Sequence, residues 1–376
     1  MRRFVSLLTA LTMLFAPVRA LAQSEKPTLT ASGAILIEAT TRRVLLAHHA
    51  DAVLPMASTT KIMTALVALR YGRLSDVITV SSLAHGTEGS SMYLDAGERQ
   101  TLENLLYGLM LKSGNDAAVA IAQHIGGSAA GFVALMNRQA EEMGLEHTHF
   151  ENPHGLPAEG HVTTARELAI IAAEAMTHPF FAEVVATRKK NVPWDGKPWD
   201  RVMGNGNKLL QSYEGANGIK TGYTKQAGRC LVAGAQRDGM QLIAVTLHCG
   251  PMYEECAAMM TWGFENFAMR QAVSPGDVLG SVVVKTGLPT EINAVAAEAL
   301  FVPLRPDEVP ELLTDLPASL QAPVNAGAEL GSAFVRIDGQ TLHGVPLVSD
   351  RASREHSLAA YLRAVVRHWL PAKTSH

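Results

Sequence analysis

Cysteine is scarce in this chain: three in 376 residues. Cys230, Cys249 and Cys256 cannot all pair with one another, and their spacing matches no zinc-binding pattern, so a disulfide scaffold and a structural zinc site are both poor descriptions. They read as small, buried, apolar residues. The 14 histidines include no HExxH pattern, and "HTHF" at His147 to Phe150 alternates as an extended segment would, so neither a metal nor another cofactor is expected. An excess of positive charge is lacking too. Lys and Arg number 32 against 35 Asp and Glu, a net charge of −3 with no basic stripe, which argues against a nucleic-acid partner. Beyond the N-terminus no segment is long and apolar enough to span a bilayer. What is present is an ordinary globular composition, 47% hydrophobic, on a chain longer than one core usually organises; two domains are expected.

The chain begins MRRFVSLLTALTMLFAPVRALAQS. Arg2 and Arg3, an apolar stretch from Phe4 to Pro17 and small residues at Ala20 and Ala22 predict a secretory signal peptide over residues 1–22. A membrane span fits less well, because the run falls short of the ~20 apolar residues needed and is broken by Pro17. The paired arginines bring the twin-arginine export route to mind, but little else of that signal is present.

From Ala34 the sequence AILIEATTRRVLLAHHA reads as two short strands around a polar turn, and Cys230 to Gly250 reads as two apolar strands around Asp238-Gly239, a strong hairpin signal. Helical patterns fill the interval, such as TLENLLYGLML, with Leu102, Leu105, Leu106 and Leu109 at helical spacing behind a Thr101 cap. An antiparallel sheet built from both ends of a domain, with helices between, is an α+β layout. After about Arg270 short apolar runs such as SVVV and SAFVRI replace helices and predict a small β domain, 275–350. The last segment, 354–371, places Leu358, Tyr361, Leu362, Val365, Val366, Trp369 and Leu370 on one helical face with Arg363, Arg367 and His368 off it. Such a helix can lie in a membrane interface or pack on its own domain.

The chemistry starts at "MASTTKIMTAL", where Ser58 and Lys61 stand three residues apart and therefore side by side if a helix begins there. A lysine in apolar surroundings near other cations loses its proton near neutral pH and can act as base to the serine, whose position at a helix start leaves free N–H groups for an oxyanion. A capping serine and a snorkelling lysine would account for the same pair. Two further segments supply partners. "LKSGNDAAVA" sets Ser113 and Asn115 in a polar break between two helical runs, where Asn115 can orient an amide and Ser113 relay a proton. "GIKTGYT" brings Lys220 and Thr221, suited to a carboxylate, and Gly222, which permits close approach of a substrate backbone. Serine, lysine, polar loop and KTG strand in this order are the set found in penicillin-binding proteins and class A β-lactamases.

From about Ala34 to Arg270 the chain resembles the D-alanyl-D-alanine carboxypeptidases, the low-molecular-mass penicillin-binding proteins, through "PMASTTKIMTAL", "EGSSMYLDAGE", "LKSGNDAAVA", "NPHGL" and "GIKTGYT". The resemblance implies a β-lactamase/transpeptidase-like catalytic domain over 27–270, an accessory β domain and a C-terminal anchor on the outer face of the inner membrane, in the periplasm. It implies that Ser58 attacks the carbonyl between the last two D-alanines of a peptidoglycan stem peptide with Lys61 as base. The N–H groups of Ser58 and Tyr223 would hold the oxyanion, Lys220 and Thr221 the terminal carboxylate, and Ser113 and Asn115 would line the other wall. β-Lactams would acylate the same serine.

Some residues depart from the pattern or compete with it. The middle motif is SGN, as in this family, where class A enzymes have SDN. Tyr223 stands where some relatives carry His. A second KTG, Lys285 to Gly287, falls in the accessory region and reads as a decoy. His154 reads as a turn residue or a cleft wall, and Trp194 and Trp199 as a substrate wall or a cover for the core. A β-lactamase would need a glutamate to activate the deacylating water, and Glu151 and Glu159 lie in no segment resembling that loop. A D,D-endopeptidase and a catalytically silent wall-binding or β-lactam-sensing protein are the remaining alternatives.

Overall fold

In the computed structural model, residues 24–342, 344–356, 358 and 361 are described. The predicted signal peptide lies outside them, as does the predicted C-terminal helix apart from its first residues and Leu358 and Tyr361, both exposed.

Both predicted hairpins form. Strands β1 (Gly33–Glu38) and β2 (Val44–His48) pair antiparallel around the polar turn. Helices α1 (Lys61–Tyr71), α2 (Leu102–Leu111), α3 (Asn115–Gly126) and α4 (Ala165–Met176) follow. Strands β3 (Ala216–Thr224), β4 (Gly228–Arg237) and β5 (Met240–Leu247) complete a five-stranded sheet in the order β2-β1-β5-β4-β3, and α5 (Met252–Asn266) comes next. The β4–β5 turn works because Asp238 and Gly239 both have positive φ, the requirement of the tight hairpin turn that matches strand twist. Thr101 caps α2, its side chain accepting the Asn104 N–H at 3.2 Å.

Alternation along the strands divides the apolar side chains between the two faces of the sheet. Ile35, Ile37, Val232, Ile243 and Val245 join the helical core that includes α1 to α4. Ala34, Leu36, Leu231, Leu242 and Ala244 join a second core under α5 with Met259, Met260 and Trp262. The sheet is thus sandwiched between helices, the α+β layout expected. The three cysteines are free and buried, Cys256 on the inner face of α5 and all at 1% exposure or less. The segment His147 to Phe150 forms no strand; its only ladder contact is the single bridge His149–Val162.

From Val273 to Leu347 a third core forms between β-strands, most of them in a seven-stranded sheet. Arg43, in the β1–β2 turn, ties this region to the five-stranded sheet. Its guanidinium donates to both Glu308 carboxylate oxygens at 2.8 and 2.6 Å and to the Pro303 carbonyl, and sits 5.2 Å from the Phe267 ring centroid. Among the described residues no single helix is long and apolar enough to cross a membrane.

Candidate active site

Ser58 does not sit on α1 itself. It lies on a 3₁₀ turn, Ala57–Thr60, that feeds into the helix at Lys61, so the helix dipole begins one turn later than the sequence suggests. The Ser58 side chain makes no cap hydrogen bond; instead its Oγ accepts from Lys61 Nζ at 3.1 Å. Lys61 is completely buried, and its amine also donates to Asn115 Oδ1 at 2.7 Å and to the His154 carbonyl at 2.6 Å. Burial above all, then the charge of Lys220, holds its pKa well below 10.5, with Asp116 opposing. Among the described residues no carboxylate hydrogen-bonds to Ser58 or Lys61, so the amine has no counter-ion in contact to keep its proton.

The predicted helix break brings Asn115 to this amine. Ser113 adopts φ +58, a left-handed conformation that ends α2 and reverses the chain into α3. Asn115 is then fixed at both ends, its Nδ2 donating to the Glu88 carbonyl at 2.6 Å. Ser113 Oγ is buried without a hydrogen-bond partner, an acceptor and donor left free within the break. Asp116, buried beside it, accepts from Ser91 Oγ at 2.6 Å and from the Met92 and Leu94 amides at 3.1 Å each, and so binds the 88–94 loop to the start of α3.

The third motif arrives on β3, the free edge of the sheet. Gly222 runs so close to the nucleophile's turn that a Cβ there would lie 3.1 Å from both the Ser58 amide nitrogen and the Ala57 Cβ. The glycine is needed for that approach. Lys220 is 2% exposed, its amine donating to the Thr221 carbonyl at 2.9 Å, and burial lowers its pKa to about 7. Tyr223 is 65% exposed, its ring turned to solvent at the end of the strand.

Of the other residues singled out in the sequence, His154 contributes through its backbone: the carbonyl accepts a hydrogen bond from the Lys61 amine, while Nδ1 accepts the Leu156 amide at 3.2 Å. The following Gly155 has φ +89 and lies over the Ala57 carbonyl, where a Cβ would be only 1.9 Å away. Glu151 pairs at the surface with His149 at 3.1 Å. Trp194 is half-buried with the Arg201 guanidinium 4.3 Å from its ring centroid, and Trp199 is exposed. The second KTG belongs to the C-terminal sheet, where Thr286 bonds to Gln321, away from the other motifs. The roles of Asp116 and of buried His161, whose Nε2 is 2.7 Å from Thr60 Oγ1, carry no sequence signal because each depends on a contact between distant segments.

Fold and site together are those of a serine peptidase in which a lysine adjoins the serine. The chain belongs to the D-alanyl-D-alanine carboxypeptidase family: the model described as "D-alanyl-D-alanine carboxypeptidase" matches residues 20–250, and "Penicillin-binding protein 5, C-terminal domain" matches 267–355. Similar curated proteins include the D-alanyl-D-alanine carboxypeptidases DacF of Bacillus subtilis, 32% identical with 91% of each chain covered, and DacC of Escherichia coli, 32% identical with 90% of this chain and 89% of the other covered. Among solved structures, penicillin binding protein 5 from Haemophilus influenzae aligns with a TM-score of 0.74 at 27% identity, covering 88% of this chain and all of its own. The Streptomyces K15 DD-transpeptidase aligns at 0.61 and 33% identity over 64% of this chain and 99% of its own.

Proposed function

We propose that this protein removes the terminal D-alanine from peptidoglycan stem peptides through an acyl-enzyme on Ser58, with residues 27–270 as the catalytic domain and 275–350 as an accessory domain. Lys61 takes the Ser58 hydroxyl proton as Oγ attacks the carbonyl between the last two D-alanines. The N–H groups of Ser58 and Tyr223 hold the oxyanion, and Asn115 orients the peptide amide. Lys61 returns the proton to the leaving D-alanine amine, with Ser113 as relay, and water then hydrolyses the ester. Lys220 and Thr221 bind the terminal carboxylate, and Gly222 leaves room for the peptide backbone.

The observation that carries this reading is the buried Lys61 amine 3.1 Å from Ser58 Oγ with only neutral hydrogen-bond partners. Burial lowers the pKa of this amine well below 10.5, which favours the unprotonated form a base needs; in that form its two N–H groups serve Asn115 Oδ1 and the His154 carbonyl and its lone pair faces the Ser58 hydroxyl. The test is Ser58→Ala, scored by D-alanine release from a diacyl D-Ala-D-Ala peptide and by covalent penicillin labelling. Both should vanish; a variant that keeps either would overturn the mechanism. Without a carboxylate bonded to the pair, the penicilloyl ester should be long-lived, and rapid turnover of a chromogenic cephalosporin would turn the assignment to a β-lactamase.

The proposal extends to location: the protein is exported and works in the periplasm, held on the outer face of the inner membrane by the amphipathic segment 354–371. Its apolar face with Trp369 and flanking arginines supports this. Deleting Arg354 onward should release the protein from inner-membrane fractions, and unchanged fractionation would refute the anchor.

A further inference from the structure

We propose that His161 is a positioning residue for the nucleophile, acting with Thr60 to orient the peptide unit that joins Ala57 to Ser58. The inference rests on the reading of Ser58 as nucleophile and of its amide as an oxyanion donor.

The direction of the hydrogen bonds is fixed by elimination. His161 Nδ1 accepts the Glu151 N–H at 3.0 Å, so the imidazole proton resides on Nε2. Nε2 lies 2.7 Å from Thr60 Oγ1 and donates to it, and the Thr60 hydroxyl donates in turn to the Ala57 carbonyl at 2.8 Å. The chain therefore runs from Glu151 N–H through His161 and Thr60 to Ala57 O, with every group satisfied. His161 is 4% exposed and its ring packs edge-on against Phe150, the centroids 5.9 Å apart, so it has little freedom to turn. Burial, with help from His149 and Lys61, lowers its pKa to about 4, and the neutral ring keeps this polarity across the neutral range.

What the chain holds is a strained element. Ala57 has φ +48, a region unfavourable for a residue with a Cβ and retained only where neighbours enforce it. Its carbonyl belongs to the same planar peptide as the Ser58 N–H, and in a trans peptide the two point in opposite directions. Anchoring the oxygen on the Thr60 and Gly155 side aims the N–H to the other side, where β3 passes and a Cβ on Gly222 would lie 3.1 Å from the Ser58 nitrogen. One side of the peptide plane faces a structural anchor, the other the oxyanion site. Loosening the anchor should leave substrate binding by Lys220 and Thr221 in place and impair the step in which the oxyanion forms.

The experiment measures acylation by a fluorescent penicillin at saturating concentrations, separating the limiting rate from the half-saturation concentration, in His161→Ala, Thr60→Val and Thr60→Ser. The first two should lose about tenfold or more in limiting rate with little change in half-saturation, because a donor aimed a fraction of an ångström away stabilises the transition state poorly. Thr60→Ser, which keeps the hydroxyl, should return the rate to near the parent value. The double variant His161→Ala/Thr60→Val should be no slower than the slower single, as both break one chain. Unchanged limiting rates in His161→Ala or Thr60→Val, losses confined to half-saturation, or a Thr60→Ser as slow as Thr60→Val would each overturn the inference. Thermal unfolding checks that each variant is folded, and the Thr60 pair carries the test if His161→Ala is not. Labelling of Ser58→Ala would defeat the nucleophile assignment itself. An unlabelled Ser58→Ala beside fully active His161→Ala and Thr60→Val would defeat only the present inference.

Discussion

Lys220→Met removes an amine that is 2% exposed and donates to the Thr221 carbonyl at 2.9 Å. Folding lowers the pKa of this lysine from 10.5 to about 7 because burial penalises its charge. At pH 7 the unfolded chain therefore holds its proton far more tightly than the folded one, a cost to folding of about 4 kcal/mol. Methionine fills a similar volume without a charge, while the lost hydrogen bond and imperfect packing take back about 2 kcal/mol. The variant should thus be more stable than the parent by about 2 kcal/mol at pH 7. The sign with pH follows from the same difference: between pH 7 and 10.5 the unfolded parent binds more protons, so parental stability rises with pH relative to the variant, and near pH 9.5 the gap should close to within about 1 kcal/mol. Urea unfolding of both proteins at the two pH values measures this. Penicillin acylation should meanwhile fall about a hundredfold or more, since a charge-assisted bond to the ligand carboxylate is gone. A variant less stable than the parent at pH 7, or a gap that does not narrow with pH, would refute the reasoning.

Asp116→Ala leaves the Ser91 hydroxyl and the Met92 and Leu94 amides without their acceptor, so stability should drop by about 3 kcal/mol and acylation should slow as the 88–94 loop loosens around Asn115; a thermal shift equivalent to less than about 1 kcal/mol would count against this. Arg43→Met breaks the buried bidentate pair with Glu308 and should cost about 3 kcal/mol at the junction between the catalytic sheet and the C-terminal β region, seen by calorimetry and faster proteolysis near 305–310 with penicillin acylation unchanged; an unaltered calorimetric trace would contradict it. Burial alone would raise the Glu308 pKa, but the hydrogen bonds and charges of Arg43 and Arg305 together outweigh it and hold the carboxyl below its ordinary value. This clasp is therefore complete above the usual glutamate range and is lost as the pH falls through the lowered folded value.

Much of the site was legible because its chemistry is carried by side chains in compact motifs. Ser58 and Lys61 are neighbours by helical geometry, and the Asp238-Gly239 turn and the Thr101 cap are local signals, so the hairpin and α2 follow from short stretches. Contacts between distant segments were not legible. His161 reaches Thr60 from the loop before α4, and Asp116 faces a loop that only folding brings to it. The part played by His154 is hidden for a different reason: it is the carbonyl that meets Lys61, and a carbonyl carries no residue identity. Local pattern also misplaced the start of α1, since the turn at Ala57 is set by its packing against β3 and Gly155 rather than by its own propensities.

The first hairpin completes the sheet by pairing β1 with β5, Gly33 opposite Leu247. The earliest described strand thus waits for one of the domain's last, and between them lie Ser58, Asn115 and Lys220. A chain cut short before Lys220 lacks one of the three, and one cut short before β5 lacks the strand that seats β1, so acylation is expected only once the sheet is complete. High sequence separation of this kind slows folding, and the interval before strand closure is the period in which the apolar faces of α1 to α4 stand open to aggregation or to chaperones. Covalent penicillin uptake should then serve as a folding clock: a chain that takes the label is expected to have joined β1 to β5 already.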